Sequence, residues 1–133
     1  PVQYTATDGV KKLGVLTDAG HSTPHLIHAL SACDALVLEF NHDTDMLAQS
    51  VYPPWLKARI GGQLGHLSNQ QSAEILQSLD RSRLKRVIAA HLSQKNNSPE
   101  KVWSVIDEVR RDSELEVVIA DQAAGFAWLD CGV

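Results

Sequence analysis

The run Ala35-Leu36-Val37-Leu38 limits the fold more than any other feature of this chain. It is wholly apolar, it leads through Glu39 to Phe40, and it is too short for a helix. Such a run reads as a strand buried on both faces, which is how strands of parallel sheets read. Residues 84–90 and 115–120 read as further strands. Residues 2–7 and 11–17 read as two more, joined by the turn signal Asp8-Gly9.

Helix signals fall between these runs. Thr23-Pro24 opens one helix, whose inward face is Leu26, Ile27, Leu30 and Ala32. Residues 43–49 and 54–60 read as short helices on either side of Tyr52-Pro53-Pro54. Ser68 and Gln71 have the spacing of a capping box at the head of a helix that continues through Leu79. Ser98-Pro99 opens another helix, running to about Arg111, and residues 125–129 read as a last strand. Short apolar strands alternating with helices predict a layered α/β fold.

In open α/β sheets, ligands bind beyond the carboxyl ends of the strands. Three polar clusters stand at such ends: Thr17-Asp18-Ala19-Gly20-His21, Glu39-Phe40-Asn41-His42-Asp43 and His91-Leu92-Ser93. A fourth candidate, His66, lies in the Gly-rich loop before the capped helix. If the strands are parallel, the clusters share one sheet edge. Asp and His are ligands of hydrolytic zinc and manganese sites, in which the metal lowers the pKa of bound water to about 7. The spacing includes no H-x-H and no H-E-x-x-H, so composition and spacing leave the bland readings open. Asp18 can cap a turn, Glu39 can pair with an Arg, and His91 can be an ordinary strand-end residue. His25 and His28 share a helix face at i, i+3 and read as solvated. Arg81, Arg83, Lys85 and Arg86 read as a solvated basic face.

The four motifs Thr17-Asp18-Ala19-Gly20-His21, 35–43, Gly65-His66-Leu67-Ser68-Asn69 and Ala90-His91-Leu92-Ser93-Gln94-Lys95-Asn96-Asn97, in this order, resemble the C-terminal half of metallo-β-lactamase-superfamily hydrolases of the YycJ/WalJ type. More distantly, they are similar to ribonuclease Z. The resemblance implies the C-terminal half of an αβ/βα sandwich over residues 1–133, with the N-terminal half absent. It implies that Asp18 bridges two metal ions and that His91 is the last histidine ligand. It further implies that His66 assists phosphodiester cleavage and that Glu39 supports it. His42 and His21 lie close to these motifs without an assigned role.

The family's H-x-H-x-D-H signature and the single His that follows it are not in this sequence. A longer parent is thus expected to be the enzyme, a two-metal phosphodiesterase, most plausibly a DNA exonuclease using zinc or manganese. The chain alone is expected to hold metal poorly and to be inactive. Pro1, with no Met before it, fits a truncated or processed chain. A small-molecule ester, thioester or lactone hydrolase with the same metal core is an alternative reading. A non-catalytic fragment is another, self-associating through the apolar face that half a sandwich leaves uncovered.

Net charge is −4 over 133 residues, which excludes a global basic field for coating nucleic acid. Cys33 and Cys131 form no paired motif, so a reduced, cytoplasmic setting is expected. No apolar run approaches the roughly 20 residues that span a bilayer, and no membrane partner is expected.

Overall fold

The computed structural model describes residues 2–111 and 113–131. Strands β1 (Tyr4–Thr7) and β2 (Lys12–Leu16) form an antiparallel hairpin. The Asp8 carboxylate accepts from the Val10 and Lys11 amides at 2.9 and 2.7 Å, and Gly9 supplies the φ of 92° that the turn needs. The chain then runs α1 (Pro24–Leu30), β3 (Ala35–Glu39), α2 (Thr44–Gln49), α3 (Pro54–Ile60), α4 (Asn69–Ser78), β4 (Arg86–Ala90), α5 (Pro99–Arg110) and β5 (Glu116–Ile119). The sheet order is β1-β2-β3-β4-β5, and β2 to β5 are mutually parallel. The α/β expectation therefore holds.

Parallel strands laid down in sequence order need crossovers of one hand, which put their helices on one face. That face is the core. Leu16, Leu36, Leu38, Val87 and Ala89 of the sheet pack with Leu26 and Leu30 of α1, Ala73, Ile75 and Leu76 of α4, and Val102, Ile106 and Val109 of α5. The opposite face carries Leu13, Ala35, Val37 and Ile88. A segment from Phe126 to Cys131 lies over it and leaves a cleft of about 400 Å³.

Residues 125–129 do not form the expected strand. The Asp121 carboxylate accepts from the Ala123 and Ala124 amides, and Asp121 and Gly125 exchange both backbone hydrogen bonds, so the chain closes a tight turn. The residues beyond it cross the sheet face without joining the ladder. Trp55 and Trp128 are exposed, and only Trp103 packs against the core.

Of the four basic residues around β4, Lys85 is exposed and the three arginines have structural partners. Arg83 pairs with Asp34 at 2.8 Å, Arg86 with Glu116 at 2.6 Å, and Arg81 donates to the Val109 carbonyl. No helix among the described residues is long and apolar enough to cross a membrane.

Candidate metal centre

The parallel strands put Asp18, just beyond β2, Glu39, at the end of β3, and His91, just beyond β4, at one edge of the sheet. His66 arrives from the loop between α3 and α4. Backbone hydrogen bonds continue the ladder past β3 and bring it there. Asn41 donates to Leu67 O, Asn69 donates to His42 O, and on the other side Ser93 donates to Asn41 O. Residues 40–42 are thus flanked by the segments that carry His66 and His91.

Buried amides hold this arrangement. Asn69 and Asn97 bond to each other through both amide groups at 2.8 Å, and Asn97 Nδ2 also donates to Phe40 O. Asn41 Nδ2 donates to the His91 carbonyl at 3.0 Å. Ser68 caps α4 with a full capping box, as its spacing predicts. Asn41, Asn69 and Asn97 lie inside the quoted motifs, yet nothing in their local sequence marks them as positioning residues.

Glu39 is fully buried and stands at the centre. Its Oε1 lies 2.9 Å from His66 Nδ1 and 2.6 Å from His91 Nδ1, and its Oε2 accepts from the amides of Leu67 and Ala19 at 3.1 and 3.3 Å. Burial pushes its pKa up, but the His91 hydrogen bond, the Leu67 amide and His66 outweigh that and hold it below the ordinary carboxylate value. A carboxylate has about four acceptor positions, and here all four are filled. Glu39 therefore has no lone pair free for a metal. As an ionised acceptor it fixes both imidazoles with hydrogen on Nδ1 and leaves each Nε2 free. The same hydrogen bond raises the His91 pKa against the opposing effect of burial.

Asp18 is exposed, with Oδ1 3.5 Å from His66 Nδ1 and 3.8 Å from His91 Nδ1. Asp18 and His91 both take left-handed backbone, φ 58° and 59°, a conformation uncommon outside Gly and concentrated at functional sites. Asp18, Glu39, His66 and His91 each offer a donor atom within 4.8 Å of the others. The grouping has the composition of a divalent metal site, although the imidazoles approach Asp18 through Nδ1. With Glu39 saturated, the donors present are Asp18 and the two Nε2 atoms, fewer than the four of a closed site.

His42 and His21 stand outside the cluster. His42 is buried, and its Nδ1 has no partner among the described residues; burial lowers its pKa. His21 is exposed and bonds through Nδ1 to Gln63 O at 2.8 Å. His25 and His28 are exposed on α1.

No family model matches the chain. It is 30% identical over 117 residues to the exodeoxyribonuclease YycJ of Bacillus anthracis, covering 88% of this chain and 44% of that protein. It is 36% identical over 100 residues to the exodeoxyribonuclease WalJ of Streptococcus pneumoniae D39, covering 75% and 37%. The chain therefore spans about two fifths of the length of these relatives. The metallo-β-lactamase fold protein YhfI of Bacillus subtilis superposes with a TM-score of 0.59 at 19% identity, over 93% of this chain and 42% of that one. The chain carries part of the metallo-β-lactamase fold, in a sequence similar to the exodeoxyribonucleases YycJ and WalJ.

Proposed function

We propose that this chain supplies the C-terminal part, residues 1–133, of a metal-dependent phosphodiesterase whose whole protein is a DNA exonuclease. The observation that carries the reading is Glu39. One buried carboxylate holds two imidazoles by Nδ1, 3.5 and 3.8 Å from an exposed aspartate, and leaves their Nε2 atoms unused by it. Asp18 and His91 would hold the metal, two zinc or manganese ions in the whole protein, with Asp18 between them. Bound there, the ions would lower the pKa of water and stabilise the attacking and leaving oxygens.

The chain's own residues do the rest. Glu39 keeps His66 oriented, with its proton on Nδ1 and its Nε2 toward solvent. As water adds to phosphorus, His66 Nε2 takes a proton from it, and the imidazolium gives that proton to the leaving oxygen as the bond from phosphorus to that oxygen breaks. His42 and His21 take no part in this scheme. The whole protein should cleave DNA with manganese or zinc and stop when the metal is chelated. His66→Ala should lower kcat about 10²- to 10⁴-fold. A whole protein that cleaves no DNA or RNA under any metal overturns the reading.

The 133-residue chain alone offers too few donors for a tight site, and we infer that it is inactive. We further infer that it self-associates through the sheet face bearing Leu13, Val37 and Ile88, which is incompletely covered. A cytoplasmic setting fits Cys33 and Cys131, both unpaired.

A further inference from the structure

Two clefts open on either side of His66, and His66 and Ile60 line both. The first, about 370 Å³, is lined by Tyr52, His91, Ser93, Gln94, Lys95 and Gln122. The second, about 430 Å³, holds Asp18, Leu56, Arg59 and Leu64.

With His neutral, the first cleft is net positive through Lys95 and the second is balanced, Arg59 against Asp18, in a chain that is net acidic. Net charge is −4, yet no carboxylate lines the first cleft among the described residues, and Asp18 of the metal cluster is the acidic residue of the second. Each cleft carries one long cation. Lys95 Nζ lies 5.8 Å from the centre of the Tyr52 ring, across the cleft wall that both line. Neither Lys95 nor Arg59 has a carboxylate partner among the described residues. Elsewhere Arg83, Arg86, Lys101 and Arg110 pair with acids, and Lys12, Lys57 and Arg81 donate to backbone carbonyls.

A small ester would fill one cleft and leave the other cation idle. A ligand with regularly spaced negative charges uses both.

We propose that the two clefts form one groove for a single polynucleotide strand, with Lys95 and Arg59 neutralising backbone phosphates on opposite sides of the group held at His66. This rests on the phosphodiesterase reading for the identity of that central group, but strand binding itself needs no chemistry. Lys95 and Arg59 are binding residues rather than catalytic ones.

The test is a titration of the 133-residue chain with the pentanucleotide dT5 in EDTA, followed by ¹⁵N amide shifts at several salt concentrations. Shifts are expected in both clefts, at Ser93–Lys95 and at Arg59–Ile60. Thymidine 5′-monophosphate should bind at least tenfold more weakly than dT5. Lys95→Ala and Arg59→Ala should each weaken dT5 about fivefold and reduce the slope of log K against log salt by about 0.7, the share of one single-strand phosphate. Absent shifts, shifts in one cleft alone, or variants that bind like the parent would overturn the groove. A whole protein that binds dT5 in this variant-dependent way and cleaves nothing would sink the phosphodiesterase reading and leave the groove standing.

Discussion

At the scale of the residue, Glu39 organises the site by having nothing left to give. Its four acceptor positions face four donors, so the substitution that keeps its shape and removes its charge is the informative one. Glu39→Gln turns one acceptor oxygen into an NH₂ group, which must then face a donor. The folded state should lose about 1–3 kcal/mol for the unpaired buried groups. Zinc affinity should fall about 10- to 100-fold, as it does when a carboxylate behind a metal-bound histidine is removed. Denaturant titration and calorimetric zinc titration read the two effects, and unchanged zinc affinity would mean that Glu39 does not orient His91.

Gly65 works by absence. A Cβ there would collide with the carbonyl oxygens of Ile60 and Arg59, which are backbone atoms unable to swing aside. The collision falls one residue before His66, whose amide donates to Ile60 O at 2.8 Å. Gly65→Ala should shift the 60–66 turn and displace His66. We expect a stability loss of about 1–3 kcal/mol and, in ¹⁵N spectra, changed His66 side-chain resonances. A wild-type spectrum at His66 would show that the turn absorbs the methyl group.

At the scale of the element, the site depends on the extension of β3 beyond the sheet. The Asn69–Asn97 pair ties its two flanking segments together and to Phe40. Asn97→Ala leaves Phe40 O and both Asn69 amide groups short of partners in a buried place. The expected loss is about 1–3 kcal/mol, larger than for Asn96→Ala. Asn96 Oδ1 has no partner among the described residues in the first place. Equal losses for the two would remove the special role given to the pair.

Much of this level was legible in the sequence. The strands showed because buried parallel strands are short apolar runs, and the order of Asp18, Glu39 and His91 followed from the clusters standing at strand ends. The asparagine pair was not legible, because it joins residues far apart in the chain and an asparagine looks like a loop residue wherever it stands. Nor was the saturation of Glu39, whose two histidine partners come from different loops. Residues 125–129 misled for a related reason. Phe126, Trp128 and Leu129 alternate with small or polar residues like a strand, but the turn closed by Asp121 delivers them across a sheet face instead of along its edge.

The opposite end of the sheet has its own anchor. Asp34 accepts from the Lys12 amide at 2.8 Å and from Arg83 at 2.8 Å. The Lys12 hydrogen bond, opposed by burial and reinforced by Arg83, holds its pKa below the ordinary value. A carboxylate depressed in the folded state stabilises the fold above its unfolded pKa of about 3.9 and loses that effect as pH falls through the folded value. Stability should therefore decline below about pH 4. Asp34→Asn should be less stable than the parent at pH 7, with the difference shrinking toward pH 2. Urea midpoints measured from pH 7 to pH 2 check it, and a pH-independent difference would assign the effect to packing alone.

At the scale of the whole molecule, the two faces of one sheet are treated unequally. Parallel sheets are normally covered on both faces. Here three helices cover one, while among the described residues the 126–131 segment alone lies over Leu13, Ala35, Val37 and Ile88 on the other. Trp128 contributes a wholly exposed indole to that side, and Phe126 is half exposed. Burying apolar area contributes about 25 cal/mol per Å², and a large aromatic buries about 150–250 Å², so Trp128 alone carries several kcal/mol of unspent association energy. In the absence of a covering layer, a second copy is the apolar surface always at hand. The chain should sediment as a concentration-dependent dimer or larger species in the micromolar range. Trp128→Ser should shift it toward monomer, and at dilutions where both proteins are monomeric it should leave the unfolding midpoint unchanged, because a fully exposed side chain stabilises nothing within its own fold. Val37→Lys, on the sheet itself, should do the same with some loss of stability. If the parent chain sediments as a monomer at all concentrations, the 126–131 segment is cover enough, and the uneven faces of the sheet drive no assembly.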